Sequence, residues 1–222
     1  MVLEQIKNIE QNFKQNNYTG NNVYSCFIEK YGDIPVLISA PHSVKQIRNG
    51  KIKAHEFYTG SIAHCLAKQI GCSCIAKQYL IETSTNDDPN TDDKNCLYKK
   101  TVSNFLQNNK IKLFVDIHGL SSKRDCVVDV CIDSGKNINN MQYVFDLQKI
   151  INNKFGENSC SIDKYFQASS ENVMSKWVYS TYKVSAIQLE INGAYRWFEG
   201  DTQNQSLDLF LCLEQWLKMY FK

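Results

Sequence analysis

The chain of 222 residues has no run of 18 or more apolar residues, so no membrane-spanning helix is expected. Its start, MVLEQIKNIEQNFKQ, is amphipathic and mixed in charge, and it lacks the apolar centre of a secretion signal. A net charge of +2 gives no basic excess for nucleic acid and no pull towards an anionic membrane. No internal repeat or low-complexity linker is present. Cys72 and Cys74 have the wrong spacing for a zinc knuckle, and no second pair accompanies them. The nine cysteines are odd in number and scattered. They point to reduced thiols in a cytoplasm, packed as small hydrophobes, rather than to a disulfide framework.

Arginine is the most informative scarcity. The chain has 25 lysines and arginines together, yet only Arg48, Arg124 and Arg196 are arginine. In so lysine-biased a composition an arginine suggests a position that needs the planar, bidentate fork. Each lies six residues after a residue of interest, namely His42, His118 and Glu190. Chance placement on the surface is the competing explanation. Proline and histidine are also few, with three and four residues, and Pro41, Pro89, His42 and His118 all fall in the segments discussed next.

The periodicity predicts an amphipathic helix over residues 3–15, with Leu3, Ile6, Ile9 and Phe13 on one side. Tyr24 to Glu29 and Ile34 to Ala40 read as a hairpin turning at Gly32-Asp33, its second arm buried. Ser43 to Ala54 reads as a loop over the strand ends. A helix is expected from about Glu56 to Ile70, stopped by Gly71, and another from Leu97 to Asn108. Strands are expected at Cys72–Ala76, Ile111–Ile117, Cys126–Ile132 and Ser185–Ile191. Helices are expected at Asn139–Phe155, after a cap at Ser170, and at Leu207–Phe221. Strands alternating with helices imply one α/β domain over 1–222, a three-layer arrangement around a mixed central sheet.

Three segments carry chemistry. Val115-Asp116-Ile117-His118-Gly119 ends an apolar run, and strand alternation puts Asp116 and His118 on one face. Ala40-Pro41-His42-Ser43 follows a second apolar run, and Glu190 lies inside a third, sharing a face with Gln188 and Asn192. In α/β folds ligands gather at the carboxyl ends of such strands. Catalytic zinc takes three imidazole or carboxylate ligands and keeps one position open, which His42, Glu56 and His118 would satisfy. Spacing alone does not decide this, because 14 residues separate His42 from Glu56 and no short template applies. A glutamate buried in a strand must be paired or ligated. Glu190 therefore suits either a general base or a buried ion pair with Arg196.

Asp116 can orient His118 by accepting its second N–H, or cap a local turn. Arg48 and Arg124 suit a substrate carboxylate or a developing oxyanion, with Arg48 the arginine expected to act in catalysis. The Asp88-Pro89-Asn90 turn, followed by Asp92-Asp93, is either a pocket wall or a solvated turn. His55 and His64 read as structural or exposed.

Taken in order, SAPHS, AHEFYTG, DPNTDD, DIHG and QLEIN with a following YR resemble the N-formylglutamate amidohydrolase-like proteins. These are relatives of the zinc carboxypeptidases and aspartoacylases, and the resemblance spans residues 36 to 196. It implies a phosphorylase/hydrolase-like α/β fold, one zinc ion per chain, and hydrolysis of an amide bond on an N-acyl amino acid such as N-formylglutamate. Carried over by position, it implies His42 and His118 as metal ligands, Glu56 as the acidic ligand, and Glu190 as the catalytic glutamate. Two departures stand out. Lys45 occupies the place of the acidic ligand in the carboxypeptidase pattern, and Asn90 is followed by Thr91 rather than arginine. The second bears on the substrate more than on the chemistry. The expected partner is a small-molecule N-acyl amino acid, with neither nucleic acid nor membrane. A zinc peptidase acting on small peptides or peptidoglycan fragments, or a non-catalytic small-molecule-binding relative, are the alternatives.

Overall fold

A computed structural model of the chain describes residues 2–21, 28–82, 84–91 and 96–221. The elements in order are α1 (Val2–Tyr18), β1 (Ile28–Lys30), β2 (Val36–Ala40), β3 (Gln46–Arg48), β4 (Lys51–Lys53), α2 (Thr59–Ile70) and β5 (Ser73–Ala76). There follow α3 (Leu97–Asn108), β6 (Leu113–Leu120), β7 (Val128–Cys131), α4 (Gln142–Phe155), β8 (Cys160–Ile162), α5 (Met174–Tyr182), β9 (Ser185–Asn192) and α6 (Gln203–Tyr220). Seven strands form one sheet in the order β1-β5-β2-β6-β9-β7-β8. The central four, β5, β2, β6 and β9, are parallel. β1 pairs antiparallel with β5, and β7 antiparallel with β9. The carboxyl ends of β2, β6 and β9 therefore meet at one edge of the sheet, together with the start of β7.

Strand parity sorts the core into two layers. Val36, Ile38, Val115, Ile117, Leu189 and Ile191 face α1, α2, α4 and α6. Leu37, Phe114 and Ala186 face α3 and α5. The result is the three-layer α/β fold with a mixed sheet that the alternation of elements implied. His118 has the parity of Phe114 and so belongs to the α3/α5 side.

Several local expectations need correction. The hairpin does not form: β1 pairs with β5, which separates it from β2. β2 is buried along its whole length and takes a central place between two parallel neighbours, while the polar Glu29 suits an edge. The earlier part of the expected first arm, residues 24–27, lies outside the described residues. The supposed loop after His42 contains a hairpin, β3 with β4, turning at Asn49 (φ 53°) and Gly50 (φ 71°). Asn-Gly is the residue pair such a turn prefers. β8 was not anticipated. β6 runs on to Leu120, beyond the expected Ile117.

α2 begins three residues later than expected. Tyr58 adopts a left-handed φ of 63°, so Glu56 stands outside the helix; its other end is closed by Gly71 (φ 79°), as expected. Ser170 does not cap α5. That helix starts at Met174, whose N–H is taken by the Asn90 side-chain carbonyl at 2.9 Å. The eight cysteines among the described residues are all buried, and none of them is joined in a disulfide. No helix among the described residues is long and apolar enough to cross a membrane.

Candidate metal centre

His42 emerges two residues beyond β2, and His118 projects from the last turns of β6, the neighbouring strand. Glu56 reaches them from the irregular segment between β4 and α2. Its Oε1 lies 3.0 Å from His42 Nδ1 and its Oε2 3.5 Å from His118 Nδ1. One ligand atom from each of the three residues can be chosen so that all lie within 4.8 Å of one another. The two imidazoles meet edge to face, centroids 4.7 Å apart. Both therefore present Nδ1 to a common centre. Each Nε2 is held from behind by a carboxylate, His42 by Asp88 Oδ1 at 3.1 Å and His118 by Asp116 Oδ2 at 2.9 Å. Asp116 thus makes the contact with His118 that the first of the two roles open to it requires.

The charge balance fits a cation. Glu56, Asp88 and Asp116 bring three formal negative charges to this cluster, and Arg48 offsets one of them directly, through Asp88. Burial works against a charge on either imidazole. Even so, Glu56 and Asp88 hold His42 up at about 9, and Asp116 with Glu56 holds His118 well above its usual value. Burial likewise opposes ionisation of Glu56 and Asp88, yet the facing imidazoles bring both well below the ordinary carboxylate range. The cluster draws positive charge, from protons or from a metal. Two imidazole nitrogens and a carboxylate oxygen, with each imidazole anchored on a second carboxylate, form a donor set suited to zinc.

Arg48 does not point at an open face. Its Nε donates to Asp88 Oδ2 at 2.6 Å and its Nη2 to the same oxygen, while Asp88 Oδ1 also accepts from the Asn90 N–H at 2.9 Å. The Asp88-Pro89-Asn90 turn is therefore neither solvated nor a passive wall. Asp88, fully buried, locks His42. Asp92 and Asp93, from the same acidic stretch, lie outside the described residues. Lys77 and Asp87, which the sequence did not single out, form a buried pair at 2.6 Å. Asp87 also accepts from the N–H groups of Ile47 and Ile81, which fixes the loop that carries Asp88 under the β3–β4 hairpin.

Glu190 stands opposite His118 in the β6–β9 register, on the same face. It is buried, which raises its pKa, and Gln188 Nε2 donates to its Oε1 at 2.7 Å. Asp129, its neighbour on β7, is another acid the sequence reading passed over. It is fully taken up by the Ser161 hydroxyl and by the N–H groups of Lys164, Tyr165 and Phe166. Asn192 Nδ2 donates to the carbonyls of Arg124 and Cys126, both at 2.9 Å, and its Oδ1 accepts from the Ala194 N–H. It ties the end of β9 to the segment entering β7. The Arg124 guanidinium is exposed and lies 4.6 Å over the Tyr165 ring.

Arg196 does not pair with Glu190. Its Nε donates to the Ile191 carbonyl at 3.1 Å and its Nη1 to the Phe57 carbonyl at 2.6 Å. His55 stacks on Tyr18 at 3.5 Å, and His64 lies 3.3 Å from Glu29; neither joins the cluster.

A three-layer α/β sheet with a His–Glu–His cluster at the carboxyl ends of its central strands defines a hydrolase-like architecture with a candidate metal centre. Solved structures share the architecture. The N-formylglutamate amidohydrolase from Ralstonia eutropha JMP134 superposes with a TM-score of 0.58 at 9% identity, over 85% of this chain and 94% of that one. A bacteriophage poly-gamma-glutamate hydrolase gives 0.50 at 15% identity, over 90% and 92%. A metallo-carboxypeptidase from Pseudomonas aeruginosa gives 0.50 at 10% identity, over 85% of this chain but 58% of that one. At such identities the likeness is one of fold. No family model matches the sequence, and no curated protein matches it.

Proposed function

We propose that this protein is a zinc-dependent amidohydrolase that cleaves the amide bond of an N-acylated amino acid. The observation that carries the reading is the pair of Nδ1 atoms aimed at Glu56, each imidazole anchored on its own carboxylate, with Glu190 beside His118. His42, Glu56 and His118 would hold the ion. Zinc, when bound, polarises a carbonyl and makes water acidic enough to react near neutrality.

Glu190 supplies the proton transfers. It takes a proton from the attacking water as the oxygen adds to the amide carbon. It returns that proton to the nitrogen as the C–N bond breaks, leaving a carboxylic acid and a free amine. Gln188 holds one Glu190 oxygen in place during this exchange. Asp88 and Asp116 keep each imidazole in the tautomer that bears its proton on Nε2. Arg48 supports His42 through Asp88. Arg124, exposed over Tyr165, is then the guanidinium left for a substrate carboxylate. A cytoplasmic setting accords with thiols that are buried and, among the described residues, not joined in disulfides.

The test is metal analysis of protein purified without added zinc, followed by hydrolysis of N-formyl and N-acetyl amino acids beside short peptides. About one equivalent of zinc and turnover of the acyl amino acids are expected. Less than about a tenth of an equivalent, with no gain on adding zinc, overturns the metal reading. Turnover of peptides alone replaces the amidohydrolase with a peptidase.

A further inference from the structure

Glu56 neither belongs to a strand of the sheet nor closely follows one of its strands. His118 is fixed by β6 and His42 follows directly on β2, whereas Glu56 lies in an irregular turn between β4 and α2. Its backbone N–H reaches the His42 carbonyl at 2.8 Å, and its Oε2 accepts the Gly119 N–H at 2.8 Å. Two charged side chains bolt the turn from opposite sides. From α1, Glu10 Oε1 accepts the Tyr58 N–H at 3.0 Å. From the segment after β9, the Arg196 fork bridges the Ile191 and Phe57 carbonyls and so joins the end of a central strand to the residue next to Glu56.

The arginine needs room, and Gly119 provides it. A Cβ at that position would come within 2.6 Å of Arg196 Nη2, 2.7 Å of Cζ and 2.9 Å of Nε. The guanidinium thus lies over the very residue whose N–H holds the Glu56 carboxylate. A lysine ammonium is a point donor on a flexible stem and does not span two carbonyls in one fixed plane. In a chain with so few arginines, this position has a geometric reason for one.

We propose that Arg196 is a positioning residue for the metal. By fixing the Phe57 carbonyl it sets the Glu56 carboxylate at ligand distance, and Gly119 is glycine in order to admit it. This rests on the assignment of Glu56 as a metal ligand.

The experiment compares the wild type, Arg196→Lys, Gly119→Ala, the double variant and Glu56→Gln. Zinc affinity is read by competition with a chromophoric chelator, and the ligand set by the visible spectrum of the cobalt(II) protein. Each single clamp variant should bind zinc about 10–100-fold more weakly, the range typical of a lost supporting contact. Its cobalt spectrum should change, and the metal-free protein should melt close to the wild type. Because both substitutions disturb one clamp, the double variant should bind little worse than the weaker single. Gly119→Ala carries the test if Arg196→Lys does not fold, since the atoms it displaces are the far end of a flexible side chain.

Zinc binding lost in Glu56→Gln but kept within about twofold in both clamp variants, with an unchanged cobalt spectrum, overturns the clamp alone, against the expected weakening. Clamp effects that multiply in the double variant also overturn it. Zinc binding that Glu56→Gln leaves unchanged, or a wild type that binds none, overturns the ligand assignment and the clamp with it.

Discussion

Replacing Glu190 with glutamine separates its chemical role from its structural one, because the two predict changes of opposite sign. The side chain is buried on the sheet, with Gln188 donating to Oε1 and His118 beside it in register. Glu190→Gln keeps the volume but removes the proton-accepting group. A general base contributes about 10²–10⁴-fold, so kcat should fall by that factor, a barrier rise of about 2.7–5.4 kcal/mol. Zinc content should not change, since Glu190 is not among the three residues proposed to hold the ion.

Stability of the metal-free protein should move the other way. Burial raises the Glu190 pKa, so its contribution to stability is fully present below its unfolded value near 4.5 and is lost as pH rises through the folded value. At pH 7 an ionised Glu190 is a liability, and glutamine relieves it. Single-turnover kinetics with a saturating N-formyl amino acid, together with thermal melts of the chelated protein, check both signs. Turnover within about threefold of the wild type refutes the role of Glu190 as base. Lost turnover accompanied by lost zinc shows instead that it supports the metal.

Other outcomes follow from the same geometry. Chelation should abolish hydrolysis, and zinc at about 100 times its dissociation constant should add about 2.7 kcal/mol of stability, a rise of roughly 5–10 °C in Tm by calorimetry. Asp88→Ala frees the Nε2 of His42 and leaves Arg48 without its partner; zinc affinity should drop about 10–100-fold, measured by chelator competition. Glu29 is held down to about 2 by its hydrogen bond to His64. Its contribution is therefore present above pH 4.5 and is lost as pH falls through 2. The Glu29 side chain is a third exposed and screened, so Glu29→Gln should lower stability by under ~1 kcal/mol at pH 6 and by nothing measurable at pH 2, as urea midpoints will show.

The contrast between what was legible and what was not follows the kind of contact involved. Strand alternation is a local property with a period of two, so the common face of Asp116 and His118, and that of Gln188 and Glu190, could be read directly from the chain. The same applies to the Gly71 stop of α2, to α3, and to the alternation that implied three layers. The Asn49-Gly50 turn was equally local, and its signal was present though unused.

The roles of the polar residues came from contacts that no local pattern encodes. Asp88 meets His42 across 46 positions, Arg48 meets Asp88 across 40, and Arg196 meets Phe57 across 139. These side chains bridge irregular segments, where neither a sheet register nor a helical period relates one position to another. Composition marked the three arginines as unusual but did not say what each would grip. Tertiary packing turned Arg48 onto a carboxylate that orients an imidazole, stacked Arg124 on Tyr165, and laid Arg196 over Gly119. The chain by itself nominated His42, Glu56 and His118 as candidates to hold a metal. The folded loops decided which charges stand behind them, because a buried charge must find its partner wherever the fold brings one within reach.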